Sequence, residues 1–127
     1  MKQQLSIYAI MLILDSVWLK TMTPIIYRDT ITLVQKQKLK VRLYSAVIVY
    51  LLLGFGIHYF VLNNPEDTIN SIAMKGAIFG FLSYGIFNGT NHAIFNNWDI
   101  RTSIIDTLWG TLLCCVTSIL VFYLNNY

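Results

Sequence analysis

Two carboxylates stand inside otherwise apolar stretches of the chain, and each is followed three residues later by a tryptophan. The pairs are Asp15-x-x-Trp18 and Asp106-x-x-Trp109. Residues three apart share a helix face, so each pair presents an acid and an indole N–H donor to the same neighbour. A carboxylate in hydrocarbon is costly, and it must pair, contact water or take up a proton. The two pairs therefore indicate a polar site that handles a proton, an ion or a small polar solute.

A second set of polar residues lies near the end of another apolar run. Tyr84, Asn88 and Asn91 have the i, i+4 and i+7 spacing of one helix face. Asparagine and tyrosine side chains can donate hydrogen bonds to a carboxylate. The sequence therefore predicts one polar intramembrane cluster, which consists of Asp15, Trp18, Tyr84, Asn88, Thr90, Asn91, Asp106 and Trp109.

The composition places these residues in a membrane protein. Of the 127 residues, 56% are hydrophobic and only 12% are charged, and the mean hydropathy is +0.59. Soluble domains carry roughly twice that share of charge. The net charge of +3 comes from few basic residues in a lipid-soluble chain, so we expect a lipid bilayer as the partner and no nucleic acid.

Four apolar segments are long enough to cross a bilayer, whose core of about 30 Å needs about 20 helical residues. They cover about 5–22, 43–62, 72–95 and 104–124. We expect one all-α domain over residues 1–127, a polytopic membrane protein built as a four-transmembrane-helix bundle. A short interfacial cytoplasmic helix is expected after the first span.

Basic residues predict the orientation of these spans. Seven lie at residue 20, between residues 28 and 42, or at Arg101, whereas the opposite side holds only Lys2 and Lys75. The positive-inside rule then places the 23–42 segment in the cytoplasm and both termini outside. The simplest role of these charges is to set the orientation of the spans. We also expect contact with lipid headgroups from Arg28, Lys36, Lys38, Lys40 and Arg42.

This topology brings the polar residues to one depth near the inner leaflet. Spans one and three run inward and span four runs outward, so Asp15, Asn88 and Asn91 lie at similar depth, with Asp106 slightly nearer the cytoplasm. Small residues predict where helices approach closely. The expected packing positions are Gly76, Gly80 and Gly110.

The same residues carry a resemblance to a known group of small, mainly bacterial membrane proteins, domain-of-unknown-function family 2177. The matching elements follow in order along nearly the whole chain: Asp15-x-x-Trp18-Leu19, Tyr27-Arg28, Tyr44 with Gly54, Gly76-x-x-x-Gly80, Tyr84-x-x-x-Asn88-x-Thr90-Asn91-x-Ala93, Trp98 and Asp106-x-x-Trp109-Gly110. The family usually has Asp where this chain has Asn88, which removes one potential proton carrier. The resemblance implies a four-helix integral membrane protein and supplies no reaction.

The sequence is compatible with three alternative functions. The first is a binding or transport module, which with only four spans implies a homo-oligomer. The second is a scaffold or subunit of a larger membrane assembly, in which the polar layer is packing glue. The third, an enzyme acting on lipid headgroups through Asp15 and Asp106, ranks last because no nucleophile–base pair supports it. Adjacent Cys114 and Cys115 have no metal-ligand spacing, so no metal and no cofactor are expected.

Overall fold

The computed structural model describes residues 2–38 and 40–125, and every regular element in this part of the chain is helical. The elements are α1 (Lys2–Met22), α2 (Arg28–Gln35), α3 (Leu43–Gly56), α4 (Ile69–Ile94) and α5 (Ile100–Asn125), with π-helical turns at Thr23–Tyr27 and Ile57–Val61.

The first two helices form one rod. Pro24 falls at the start of the π-helical turn between α1 and α2, where its missing N–H and its ring are accommodated by the widened turn. The rod ends at Lys36, which has a left-handed backbone with φ of 58° and whose N–H bonds the Thr32 carbonyl. The short helix expected after the first span is thus α2, and it continues α1 without a break. Its location at the membrane interface stays a prediction.

The closest helix pair is α4 with α5, which run against each other along most of their length. Their contact is made through glycines. A Cβ built on Gly76 would lie 2.9 Å from the Cys114 carbonyl oxygen, and one built on Gly80 would collide with the backbone of Gly110. The missing side chains therefore set the distance between the two helices.

The apolar core lies on one side of the polar residues. Its buried members are Ile7, Met11, Ile57, Val61, Ile72, Leu113, Cys114 and Val121. Helix α1 packs on both α5 and α3. Large apolar side chains elsewhere point outward, including Leu43 and Leu52 of α3, which are 74% and 65% exposed. Such a surface suits lipid rather than water.

Three of the described helices are long and apolar enough to cross a membrane: Lys2–Gln35, Leu43–Val61 and Ile100–Asn125. Helix α4 has the same 26-residue length as α5 but is not one of these three helices, and it carries Lys75 and polar residues near its C-terminal end. The expectation of four spans therefore depends on α4.

Candidate functional site

Asp15 lies on the inner face of α1 and is only 6% exposed. Its Oδ1 accepts a hydrogen bond of 2.8 Å from Trp109 Nε1 on α5, and its Oδ2 accepts one from the Tyr50 hydroxyl on α3. One carboxylate thus joins three helices.

Asp106 on α5 has a matching environment and is 7% exposed. Its Oδ2 accepts from Asn88 Nδ2 at 2.6 Å, and its Oδ1 accepts from the Tyr27 hydroxyl of the π-helical turn. The same Tyr27 oxygen accepts a bond of 2.8 Å from Trp18 Nε1. A single hydroxyl therefore connects the indole of α1 to the carboxylate of α5.

The two acid–tryptophan pairs interlock. Trp109 of α5 donates to the acid of α1, and Trp18 of α1 reaches the acid of α5 through Tyr27. Between them the two indole rings are stacked, with centroids 4.5 Å apart and planes inclined by 3°. This crossed arrangement fixes the orientation of both carboxylates.

Neither carboxylate has a basic partner in residues 2–38 and 40–125. The ion pairs there are Lys75–Asp67 at 2.6 Å and Arg101–Asp99 at 3.2 Å, and both lie outside the cluster. An ionised carboxylate offers about four lone-pair positions, of which the hydrogen bonds above use two. Each acid therefore keeps room for a further donor. The same ranges contain no group of three His, Cys, Asp or Glu residues that could hold a metal ion.

A pocket of about 380 Å³ adjoins the carboxylates. Its polar lining includes Asp15, Tyr27, Tyr50, Ser83, Tyr84, Asn88 and Asp106, and the rest is largely apolar. Asn88 is 1% exposed, and its Oδ1 has no hydrogen-bond partner among the described residues. A buried acceptor left unpaired costs free energy, so Asn88 is held beside the pocket with part of its hydrogen-bonding capacity unused.

The structure brings together most of the residues of the predicted polar intramembrane cluster. Asp15, Trp18, Asn88, Asp106 and Trp109 are in direct contact through the bonds described above.

Tyr84 lines the pocket, and the Cβ position of Gly110 faces its ring. Two nominated residues lie apart from the carboxylates. Thr90 is exposed, and the half-buried Asn91 makes no side-chain hydrogen bond to either acid.

Two tyrosines in the site were not nominated as site residues. Tyr27 is part only of the family resemblance, and Tyr50 is absent from the predicted polar cluster. Tyr50 is a lone hydroxyl in the apolar run 46–53, and a hydroxyl at the depth of a buried acid was the signal that could have revealed it.

The basic residues predicted to contact headgroups lie on α2, at its end and in the segment that follows it. All five, Arg28, Lys36, Lys38, Lys40 and Arg42, are exposed. Thr30 and Thr102 share a buried hydrogen bond of 2.8 Å that holds α2 against the start of α5. Beside it, the backbone N–H and the guanidinium of Arg101 hold the pKa of Asp99 below its ordinary value.

Comparison with known proteins gives a family and no activity. No curated protein and no solved structure matches the chain. The sequence profile of one family, described as predicted membrane protein (DUF2177), matches residues 1–123 and so includes every residue of the site. The chain is a helical membrane protein and belongs to the DUF2177 family.

Proposed function

We propose that the protein is a small binding or transport module whose intramembrane site takes up a proton, an ion or a small polar solute at Asp15 and Asp106. The observation that carries the proposal is a pair of buried carboxylates, with no ion partner among the described residues, beside a pocket of about 380 Å³. Ionisable groups inside a membrane are expensive to maintain, and they commonly mark pathways for ions or protons.

A scaffold or assembly subunit is the second candidate, and one observation favours it. Every oxygen of the two carboxylates already accepts a hydrogen bond from another segment of the chain, as packing glue would require. The pocket and the unpaired Asn88 Oδ1 argue the other way, because glue alone gains by closing such a gap.

The topology belongs to the same proposal. With both termini outside and the basic 23–42 segment inside, the site lies in the inner leaflet and α4 crosses the membrane. If α4 did not cross, three spans would place the C-terminus in the cytoplasm while the N-terminus stayed outside.

We expect a C-terminal alkaline phosphatase fusion to be active and a C-terminal green fluorescent protein fusion to be dark in a bacterial host. Phosphatase folds only outside the cytoplasm, whereas the fluorescent protein folds only inside. Fusions placed after Arg42 serve as the control and should give the reverse pattern. A fluorescent C-terminal fusion with the control unchanged would mean that α4 does not span.

Asp15→Asn tests the proposal that the site takes up a proton. The amide oxygen of the variant can still accept from Trp109, and the Tyr50 hydroxyl can accept from the amide as well as donate. The substitution therefore removes the charge and keeps the bonding pattern. In vesicles with an inside-negative potential and an internal pH dye, we expect wild-type protein to admit protons and the variant to match protein-free vesicles.

Glu66→Gln is the matched control, since Glu66 is an exposed acid in the loop between the π-helical turn and α4. It should leave proton influx unchanged. Equal influx in wild-type and Asp15→Asn vesicles would contradict a proton role for Asp15.

A further inference from the structure

Helices α3 and α4 both contribute side chains to the wall of the pocket. Helix α3 packs on α1, and the close contacts of its span with α4 come from the π-helical turn Ile57–Val61 at the far end. Gly56, just before that turn, faces the ring of Phe79. Among the described residues, close backbone approaches between α3 itself and α4 are few, which leaves a gap between the two helices.

Exposure along the gap agrees with that geometry. Val49 of α3 and Phe87 of α4 both line the pocket, and they are 52% and 56% exposed. In a bilayer this opening faces lipid, so a ligand that uses it must dissolve in hydrocarbon. The apolar lining, which includes Leu19 and Leu53, suits an alkyl or aromatic group.

The polar lining, in contrast to the apolar lining, suits a polar group of the ligand. It contains two carboxylates, which are acceptors, and no basic side chain is among the described residues that line the pocket. An anion would meet like charge there. An ammonium group carries a positive charge and three N–H donors, and aromatic side chains such as Trp98 and Tyr84 in the lining can add cation–π attraction.

From the open gap and the acceptor-rich interior we infer that the pocket binds a lipid-soluble amine in its protonated form, which reaches the carboxylates from the bilayer between α3 and α4. The inference rests on the proposed function and names the class of solute for that same site. The ammonium bonds Asp15 or Asp106, while its apolar tail occupies the space beside Leu19 and Leu53.

The test uses three probes that share one apolar group and differ in charge: 4-phenylbutylamine, 4-phenylbutanol and 4-phenylbutyrate. Binding is measured by equilibrium dialysis against the protein in phosphatidylcholine nanodiscs, and empty nanodiscs give the partition into lipid. Charge-assisted bonds are about twice as strong as neutral ones, so we expect the amine to bind about tenfold more tightly than the alcohol and the acid to show no specific binding.

A pair of tryptophan substitutions tests the lateral opening without touching the carboxylates. Val49→Trp fills the gap and should weaken amine binding, whereas Leu52→Trp adds the same side chain at a 65%-exposed position of the same helix and should not. The double variant Asp15→Asn/Asp106→Asn, which leaves neither of the two carboxylates in the pocket, should bring the amine down to the affinity of the alcohol. Equal binding by the two tryptophan variants would overturn the lateral route.

Failure of the amine inference can be distinguished from failure of the proposed function. Equal binding of amine and alcohol overturns the amine assignment but leaves the pocket as a solute site. Absence of binding by all three probes overturns the assignment as well, while the proton influx of wild-type and Asp15→Asn vesicles decides the proton branch of the proposed function separately.

Discussion

Gly80→Leu is expected to destabilise the protein severely in detergent, whereas Gly89→Leu leaves its stability nearly unchanged. A side chain at Gly80 would collide with the Gly110 carbonyl oxygen and press on the Cys114 side chain. Backbone cannot move aside as the end of a flexible side chain can, so α4 and α5 would be forced apart. Overpacking of this kind costs about 3 kcal/mol or more where backbone must shift.

Gly89 is the matched control because it lies on the same helix and, apart from its chain neighbours and nearby helix backbone, no described residue lies within 4 Å of its Cβ position. Leucine has a higher helix propensity than glycine by under about 1 kcal/mol, so this variant should be neutral or slightly more stable. The measurement is the melting temperature of both variants in one detergent. Equal melting temperatures would mean that α4 and α5 do not depend on this contact.

This helix contact was partly predictable from the sequence. The spacing of Gly76 and Gly80 predicted a close-packed face, and Gly110 was nominated as a packing position. Spacing fixes which residues share a face but not which helix lies against it. That α4 meets α5 at Gly110 depends on the tertiary arrangement, to which the chain between the two helices contributes a tight turn at 95–99.

The site was predictable to a similar extent. Burial of Asp15 and Asp106 follows from placing carboxylates in apolar helices, and the three-residue spacing puts each tryptophan on the face of its acid. Yet each indole serves the acid of the other helix. Within one helix the spacing is the same whether a donor turns to its own acid or across an interface, so no sequence pattern distinguishes the two.

Tyr27 shows a different limit. It follows Trp18 by nine residues, and at about 100° per residue an unbroken α-helix would place it on the opposite face. The π-helical turn Thr23–Tyr27 has more residues per turn and so changes that angle. Pro24 signals a disturbance in the helix, but proline alone does not specify a widened turn rather than a kink or an end.

We expect Tyr27→Phe to cost about 1–3 kcal/mol of stability, because the loss of one hydroxyl breaks two bonds between segments. Asp106 Oδ1 loses its donor, and Trp18 Nε1 loses its acceptor. Tyr44→Phe is the control, since Tyr44 is 68% exposed on α3 and removal of its hydroxyl should change stability by less than about 0.5 kcal/mol. Reversible unfolding in mixed micelles measures both.

The double variant Tyr27→Phe/Asp106→Asn tests whether this loss of stability depends on the bond between the Tyr27 hydroxyl and Asp106. If the hydroxyl acts through Asp106, Tyr27→Phe should cost less in the Asp106→Asn background than in the wild type. Costs that simply add would show that Tyr27 stabilises the bundle by packing alone.

The same variant also separates the two candidate functions. A scaffold has no use for the proton affinity of Asp106, so Tyr27→Phe would only weaken the bundle, and any proton leak would match that of wild type at temperatures where both are folded. In a proton or cation site the hydroxyl orients the carboxylate, so removing it alters influx while the protein is still folded. A folded Tyr27→Phe protein with unchanged influx would therefore favour glue over a functional site at Asp106.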